Sequence, residues 1–237
     1  MNDLSAYIKD ELFCRGADIV GFGDLTELPP EIRKGLPVGI SVAVKYPKEV
    51  IAGIYDLPTQ EYFDNYNRLN KKLDMLVTLG AEALRIHGYK AVAQTLDSIE
   101  WNNEDFLTLL PHKTVATRAG IGWIGKSALL VTKQYGSMIR LSSILTDAPL
   151  KTAKPVNTSK CGGCKICTNA CTAGAIKGVN WSVKKQRDEF FNAELCYKET
   201  KKRSMQGFGN NKATVCGRCI AVCPYTKEYL NKGQISV

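Results

Sequence analysis

Apolar positions in the first 150 residues fall into two alternating periods. Leu4, Tyr7, Ile8, Glu11 and Leu12 fit one helix, with Asp3 ahead of them as an N-cap. Ala17 to Phe22 and Ile40 to Tyr46 predict strands. In the second, Val-Ala-Val alternates with small residues, and Pro47 closes the run. From Tyr62 to His87, Leu69, Leu73, Leu76, Leu79, Ala83 and Ile86 recur at helical spacing, ending near Gly88. Tyr89 to Leu96 returns as a strand. Ala128 to Val131 and Met138 to Leu145 flank Gln134-Tyr135-Gly136-Ser137, the pattern of a β-hairpin. The pattern predicts an α+β fold.

Composition adds a boundary. The 237 residues carry a net charge of +9 and nine cysteines. Residues 1–150 hold 16 Lys and Arg against 18 Asp and Glu, whereas residues 151–237 hold 16 against 5. Eight of the nine cysteines lie in that basic last part. The expected division is therefore a domain over 1–150 and a second over 151–237, joined by the polar stretch 151–158. With 44% hydrophobic and 23% charged residues the chain has ordinary globular usage, which excludes wholesale disorder. No apolar run reaches the roughly 18 residues of a membrane span. The start, Met1-Asn2-Asp3-Leu4, lacks a basic region followed by an apolar core, so the expectation is a cytoplasmic protein with no membrane partner. Disulfides are disfavoured in that compartment, and the cysteines are expected to bind metal.

Their spacing names the metal group. The first run is Cys161-x2-Cys164-x2-Cys167-x3-Cys171, the second Cys216-x2-Cys219-x3-Cys223-Pro224, with Cys196 between them. Two-residue gaps let one tight loop offer three thiolates to a cubane, and in two-cluster ferredoxins the fourth cysteine of such a run serves the other cluster. The expectation is two [4Fe-4S] clusters, one on Cys161, Cys164, Cys167 and Cys223, the other on Cys171, Cys196, Cys216 and Cys219. Paired zinc sites favour two separated Cys-x2-Cys knuckles instead. Covalent haem needs Cys-x-x-Cys-His, and no cysteine here precedes a histidine. Cys14, on the first helix, is expected to be a buried small hydrophobe.

One other stretch is dense in chemistry: Arg118-Ala119-Gly120-Ile121-Gly122-Trp123-Ile124-Gly125-Lys126-Ser127. Its glycines permit close approach of a ligand or of another chain segment. It does not sit between a strand and a helix as a dinucleotide fingerprint would. A structural turn is the alternative reading. This stretch resembles the RAGLGWIGK motif of the epoxyqueuosine reductase family. In that family too, a hairpin and then the same order of cysteines follow. The resemblance runs from about Leu12 to Pro224, to a short form without the C-terminal helical-repeat region. It implies a nitroreductase-like N-terminal domain holding base-off cobalamin and a bacterial-ferredoxin-like domain with two clusters. The implied activity is a cobalamin-dependent reduction related to that of reductive dehalogenases. Gly120, Gly122, Trp123, Ile124, Gly125, Lys126 and Ser127 would then contact the corrinoid. An electron-transfer protein or redox activator that docks on a partner enzyme and binds no corrinoid is the other reading.

The family's proton-donating Asp has no match; Gln94 falls near its position, leaving Asp97 and His112 as candidate acids. Lys184, Lys185 and Arg187, and Lys198, Lys201, Lys202 and Arg203, form two basic runs. They would suit an acidic electron donor such as ferredoxin or flavodoxin, or the phosphates of tRNA.

Overall fold

Asp3 caps α1 (Leu4–Cys14), its carboxylate accepting from the backbone N–H of Ser5 at 3.1 Å. Ile8 and Leu12 turn inward and are buried, while Cys14, at the end of the helix, is exposed rather than buried. The computed structural model describes residues 3–99, 101–102 and 106–232. After α1 come β1 (Ile19–Asp24), β2 (Val38–Lys45), α2 (Lys48–Ala52), α3 (Gln60–Ile86) and β3 (Ala91–Gln94). Short strands β4 (Trp101–Asn102) and β5 (Leu107–Thr108) lead to α4 (His112–Arg118), β6 (Trp123–Ile124), β7 (Leu130–Val131) and β8 (Ile139–Thr146). The cysteine-rich part adds α5 (Ile166–Ala170), α6 (Arg187–Phe190), α7 (Ala193–Phe208), α8 (Arg218–Ala221) and α9 (Pro224–Asn231). Among the described residues no helix is long and apolar enough to cross a membrane.

The chain divides into two compact units that interleave along the sequence. Residues 1–44, 68–122 and 140–156 form the first, and 45–67, 123–139 and 157–237 the second. The division therefore differs from a single break at residue 150, because residues 45–67 and 123–139 join the cysteine-rich unit. Aromatic packing accounts for the second recruit. Trp123 meets Tyr225 edge-on at 4.9 Å between ring centroids, and Tyr135 meets Tyr229 in the same way at 4.9 Å.

In the first unit the sheet order is β1-β2-β8-β3, with β1 antiparallel to β2 and β3 antiparallel to β8. Seven of the eight residues of β2 are buried, as a central strand covered on both faces must be. On one face Leu145 and Val92 pack with Leu25, Leu36 and Val115 of α4. On the other, Gly80 of α3 lies over Ile144 and Leu12: a Cβ there would be 2.7 Å from Ile144 Cδ1. The buried stripe of α3 is Leu69, Leu73, Leu76, Val77, Ala81 and Leu84. Ile86, expected on that stripe, is exposed, since it follows Leu84 by only two residues and so faces away.

Of the expected hairpin between 128–131 and 138–145, the turn forms, closed by an antiparallel bridge between Thr132 and Gly136, but β7 and β8 are not neighbours in a sheet. Leu130 and Val131 pair instead with Ile124 and Trp123, and β8 pairs with β3. A tight return at Gly125 to Leu129 makes the shorter pairing, with Gly125 N–H donating to Leu129 O at 2.8 Å and Ala128 at φ 59°.

Candidate metal centres

The two cysteine runs fold as short turns, each closed by a helix start. Cys164 N–H donates to Cys161 O at 3.1 Å, which closes the first turn ahead of α5. Cys167 lies in α5 and Cys171 at its C-cap. Cys223 is the N-cap of α9, with Pro224 at the first helical position. Between Cys216 and Cys219, Gly217 has φ 74°, and a Cβ there would collide with Ile54. Cys196 sits in the first turn of α7, whose N-cap Asn192 accepts from Leu195 N–H at 2.9 Å.

The thiols sort themselves by their influence on one another. Burial pushes the Cys167 thiol up to about 11, and Cys161, Cys223 and Cys164 add to the rise. Burial pushes Cys196 up to about 12, with Cys216 and Cys171 adding to it. Cys219 is held well above the ordinary thiol range, first by burial and then by Cys216, Cys196, Cys167 and Cys171. Burial also raises Cys223, while backbone N–H groups of Thr226 and Tyr225 act the other way. The two sets expected from spacing, Cys161-Cys164-Cys167-Cys223 and Cys171-Cys196-Cys216-Cys219, are thus each brought together, and Cys219 lies near members of both. Among the described residues no three such side chains close to the spacing of ligands on a single ion. A cubane stands between its thiolates and needs the wider spacing. Two buried guanidinium Nε atoms of this unit, of Arg203 and Arg218, have no partner among the described residues, and Arg218 lies within the Cys216–Cys219 turn. Arg203 donates through another nitrogen to the Asp56 carbonyl and Arg218 lies over the Tyr55 ring, so both cations are held within this unit, and buried cationic groups there suit an anionic cluster.

Residues 122–127, expected to line a corrinoid, are buried. Trp123 is 2% exposed and its indole Nε1–H donates to Cys161 Sγ at 3.4 Å. Lys126 is 3% exposed and its Nζ donates to Cys164 O at 2.8 Å. Ile124 packs with Ala128, Trp181 and Phe190 in a small core, and Ser127 is buried as well. Gly120, with φ 68°, is exposed, and its close neighbour is another chain segment: a Cβ there would be 2.8 Å from Lys154 O. Arg118 is buried on Glu27, at 3.1 Å, and on Val156 O, at 3.2 Å. The motif is therefore built into the protein interior, with Trp123 and Lys126 on the first cysteine loop. The spacing of the motif carried no signal of that contact.

The candidate acids stand in the first unit. Asp97 is exposed in a single 3-10 turn, Leu96–Ser98. Its charge adds to the raised pKa of Asp74, which is due first to burial and opposed by the Leu96 N–H that Asp74 accepts at 3.0 Å. His112 opens α4, with Pro111 rather than His112 in the cap position. Its Nδ1 lies 2.9 Å from Ser143 Oγ. Burial, and then the charge of Arg140, depress its pKa to about 4, so the ring is neutral at physiological pH. Ser143 is also the strand partner of Gln94, and Gln94 is buried with its Nε2 unpaired. The structure thus joins His112, Ser143 and Gln94. Of the basic runs, Lys184, Lys198, Lys201 and Lys202 are exposed. Arg203 is not part of that face: it is 4% exposed and hydrogen-bonds the backbone carbonyl of Asp56.

A family model described as a 4Fe-4S double cluster binding domain matches residues 160–226. The chain is 30% identical over 166 residues to the epoxyqueuosine reductase of Listeria monocytogenes, a match covering 70% of this chain and 40% of that one. It superposes on an epoxyqueuosine reductase solved with an epoxyqueuosine-modified tRNA-Tyr stem loop with a TM-score of 0.61 at 21% identity, over 94% of this chain and 65% of that one. It also superposes on a reductive dehalogenase whose structure concerns B12-dependent dehalogenation, with a TM-score of 0.69 at 17% identity, over 96% of this chain and 33% of that one. The chain spans about half the length of the curated relatives it matches.

Proposed function

We propose that this chain, which belongs to the epoxyqueuosine reductase-like family, is an iron–sulfur oxidoreductase with two [4Fe-4S] clusters and a nitroreductase-like first unit. The observation that carries this reading is the sorting of eight cysteines into two sets of four that lie close enough to perturb one another. Such clusters supply one-electron transfer when bound. The chain's part is to hold the thiolates, half-buried, in turns, with the buried guanidinium Nε atoms of Arg203 and Arg218 in the same unit. Anaerobic reconstitution should give about eight iron and eight sulfide per chain. Cys161→Ala and Cys196→Ala should each remove a different one of two EPR signals. A single zinc per set, with no EPR signal after reduction, would overturn the assignment.

The family resemblance brings cobalamin. Gly122 to Ser127 do not fit a corrin ring, because a face that binds one stands open to solvent when the ring is absent, and these six residues are buried. This burial favours the second reading, in which the clusters pass electrons to a partner enzyme. Base-off cob(II)alamin retained at micromolar protein, seen by EPR, would instead establish the corrinoid-dependent reductase with contacts from other residues. His112 does not support substrate protonation at neutral pH through a charged imidazole, since its ring is neutral there. The exposed lysines at 184, 198, 201 and 202 would receive an acidic ferredoxin or flavodoxin as donor. A tRNA substrate, as the stem loop bound to the solved relative suggests, would meet the same cations, and its binding would fall steeply with salt.

A further inference from the structure

Two large side chains of the glycine-rich motif, both buried, end on the same loop. Trp123 Nε1–H points at the sulfur of Cys161 from 3.4 Å. Lys126 Nζ caps the carbonyl of Cys164 at 2.8 Å. Gly125 between them is in close contact too, since a Cβ there would stand 3.6 Å from Cys161 Sγ. The indole packs edge-on against Tyr225, two residues beyond Cys223, with 4.9 Å between centroids. Trp123 therefore touches both ends of one ligand set, the loop of Cys161 and the helix that follows Cys223.

We propose that Trp123 and Lys126 are positioning residues that raise the reduction potential of the cluster on Cys161, Cys164, Cys167 and Cys223. The inference rests on the two-cluster reading above and deepens it. An electron entering a cluster adds one negative charge to the core and its thiolates, with no proton taken up and no bond broken. A hydrogen bond donated to a ligand sulfur and a buried cation beside the loop both stabilise that added charge more in the reduced than in the oxidised state. The effect is strong here because neither side chain is shielded by water. Trp123 contacts Cys161 of one set only, so the two clusters are driven apart in potential. The first becomes the better electron acceptor of the pair.

The test is an EPR-monitored redox titration of the reconstituted chain, with dithionite as reductant. The first cluster's signal is assigned by its loss in Cys161→Ala. Trp123→Phe keeps the ring packing and removes the N–H; Lys126→Met keeps the stem and removes the charge. Each should shift the first cluster's midpoint to lower potential and leave the second in place, and Lys126→Arg should restore it. Unchanged midpoints in both variants, or equal shifts of both clusters, would overturn the inference. Should Trp123→Phe fail to take up iron, wild-type protein labelled with ring-15N tryptophan decides. Coupling of 15N to the reduced first cluster supports the hydrogen bond, and its absence refutes it. A wild-type chain that binds no iron would instead refute the cluster reading itself.

Discussion

Gln94 is buried, and its Nε2 has no partner among the described residues, while its backbone carbonyl accepts from Ser142 Oγ at 2.7 Å. An unsatisfied buried donor costs about 1–3 kcal/mol. Gln94→Met, similar in volume, is therefore expected to raise the apparent melting temperature; a fall would show that the amide is engaged by a ligand. Its neighbour across Ser143, His112, is expected to act on stability with the opposite kind of signal. Because the folded ring takes its proton near pH 4 and the free ring near 6.5, the unfolded chain binds that proton first as pH falls. Stability is complete above about pH 6.5 and declines toward pH 4, and His112→Gln should flatten that part of the stability–pH curve. A curve unchanged by the substitution would mean that the ring binds its proton alike in the folded and unfolded chain, and so is not desolvated by the fold. At this scale the cluster cysteines were legible, because a cubane dictates both residue type and spacing. Arg203 and Cys14 were not. Whether an arginine is solvated or a cysteine buried depends on what packs against its helix, and composition does not carry that.

Elements with a clean apolar stripe, α1 and α3, were readable to within a few residues. α7 was not anticipated. Its polar run from Lys198 to Arg203 masks the helical period, and its limits are set by Asn192 at the N-cap and by Gly209, at φ 72°, at the C-cap. The hairpin was legible in its turn, which Thr132 and Gly136 close, but not in its strands: Gly125 and Ala128 make a second turn that gives β7 to β6, and alternation alone does not choose between partners. α7 matters because it carries Cys196. It lies against Leu57 and Pro58, and a Cβ on Gly207 would collide with the Pro58 carbonyl oxygen. Gly207→Ala must displace backbone, at a cost of about 1–3 kcal/mol. The expected result is loss of the cluster on Cys171, Cys196, Cys216 and Cys219 before the other, read as about half the wild-type iron with the Cys161-dependent EPR signal intact. Equal loss of both signals would show that α7 docking is a condition for the whole cysteine-rich unit rather than for one set.

Over the whole molecule, the break in charge at residue 150 marked where the cysteines lie but not how the fold divides, since two earlier segments join the second unit through contacts far apart in sequence. Charge itself is also altered by what the thiols hold. With two clusters of about two negative charges each, the net +9 falls to about +5. Part of the basic excess thus offsets the clusters, and some of the rest is paired locally: Lys198 lies 2.6 Å from Glu194 and Lys185 3.6 Å from Glu189. Lys184, Lys201 and Lys202 remain exposed to solvent in the second unit. If an acidic flavodoxin is the donor, long-range attraction should steer it. Its second-order rate of reducing the chain should then fall about tenfold between low and high salt. Lys201→Glu with Lys202→Glu should lower the low-salt rate several-fold and flatten its salt dependence, while the cluster midpoints stay put. A stopped-flow rate that is flat across salt in the wild-type chain would assign these lysines to solvation alone.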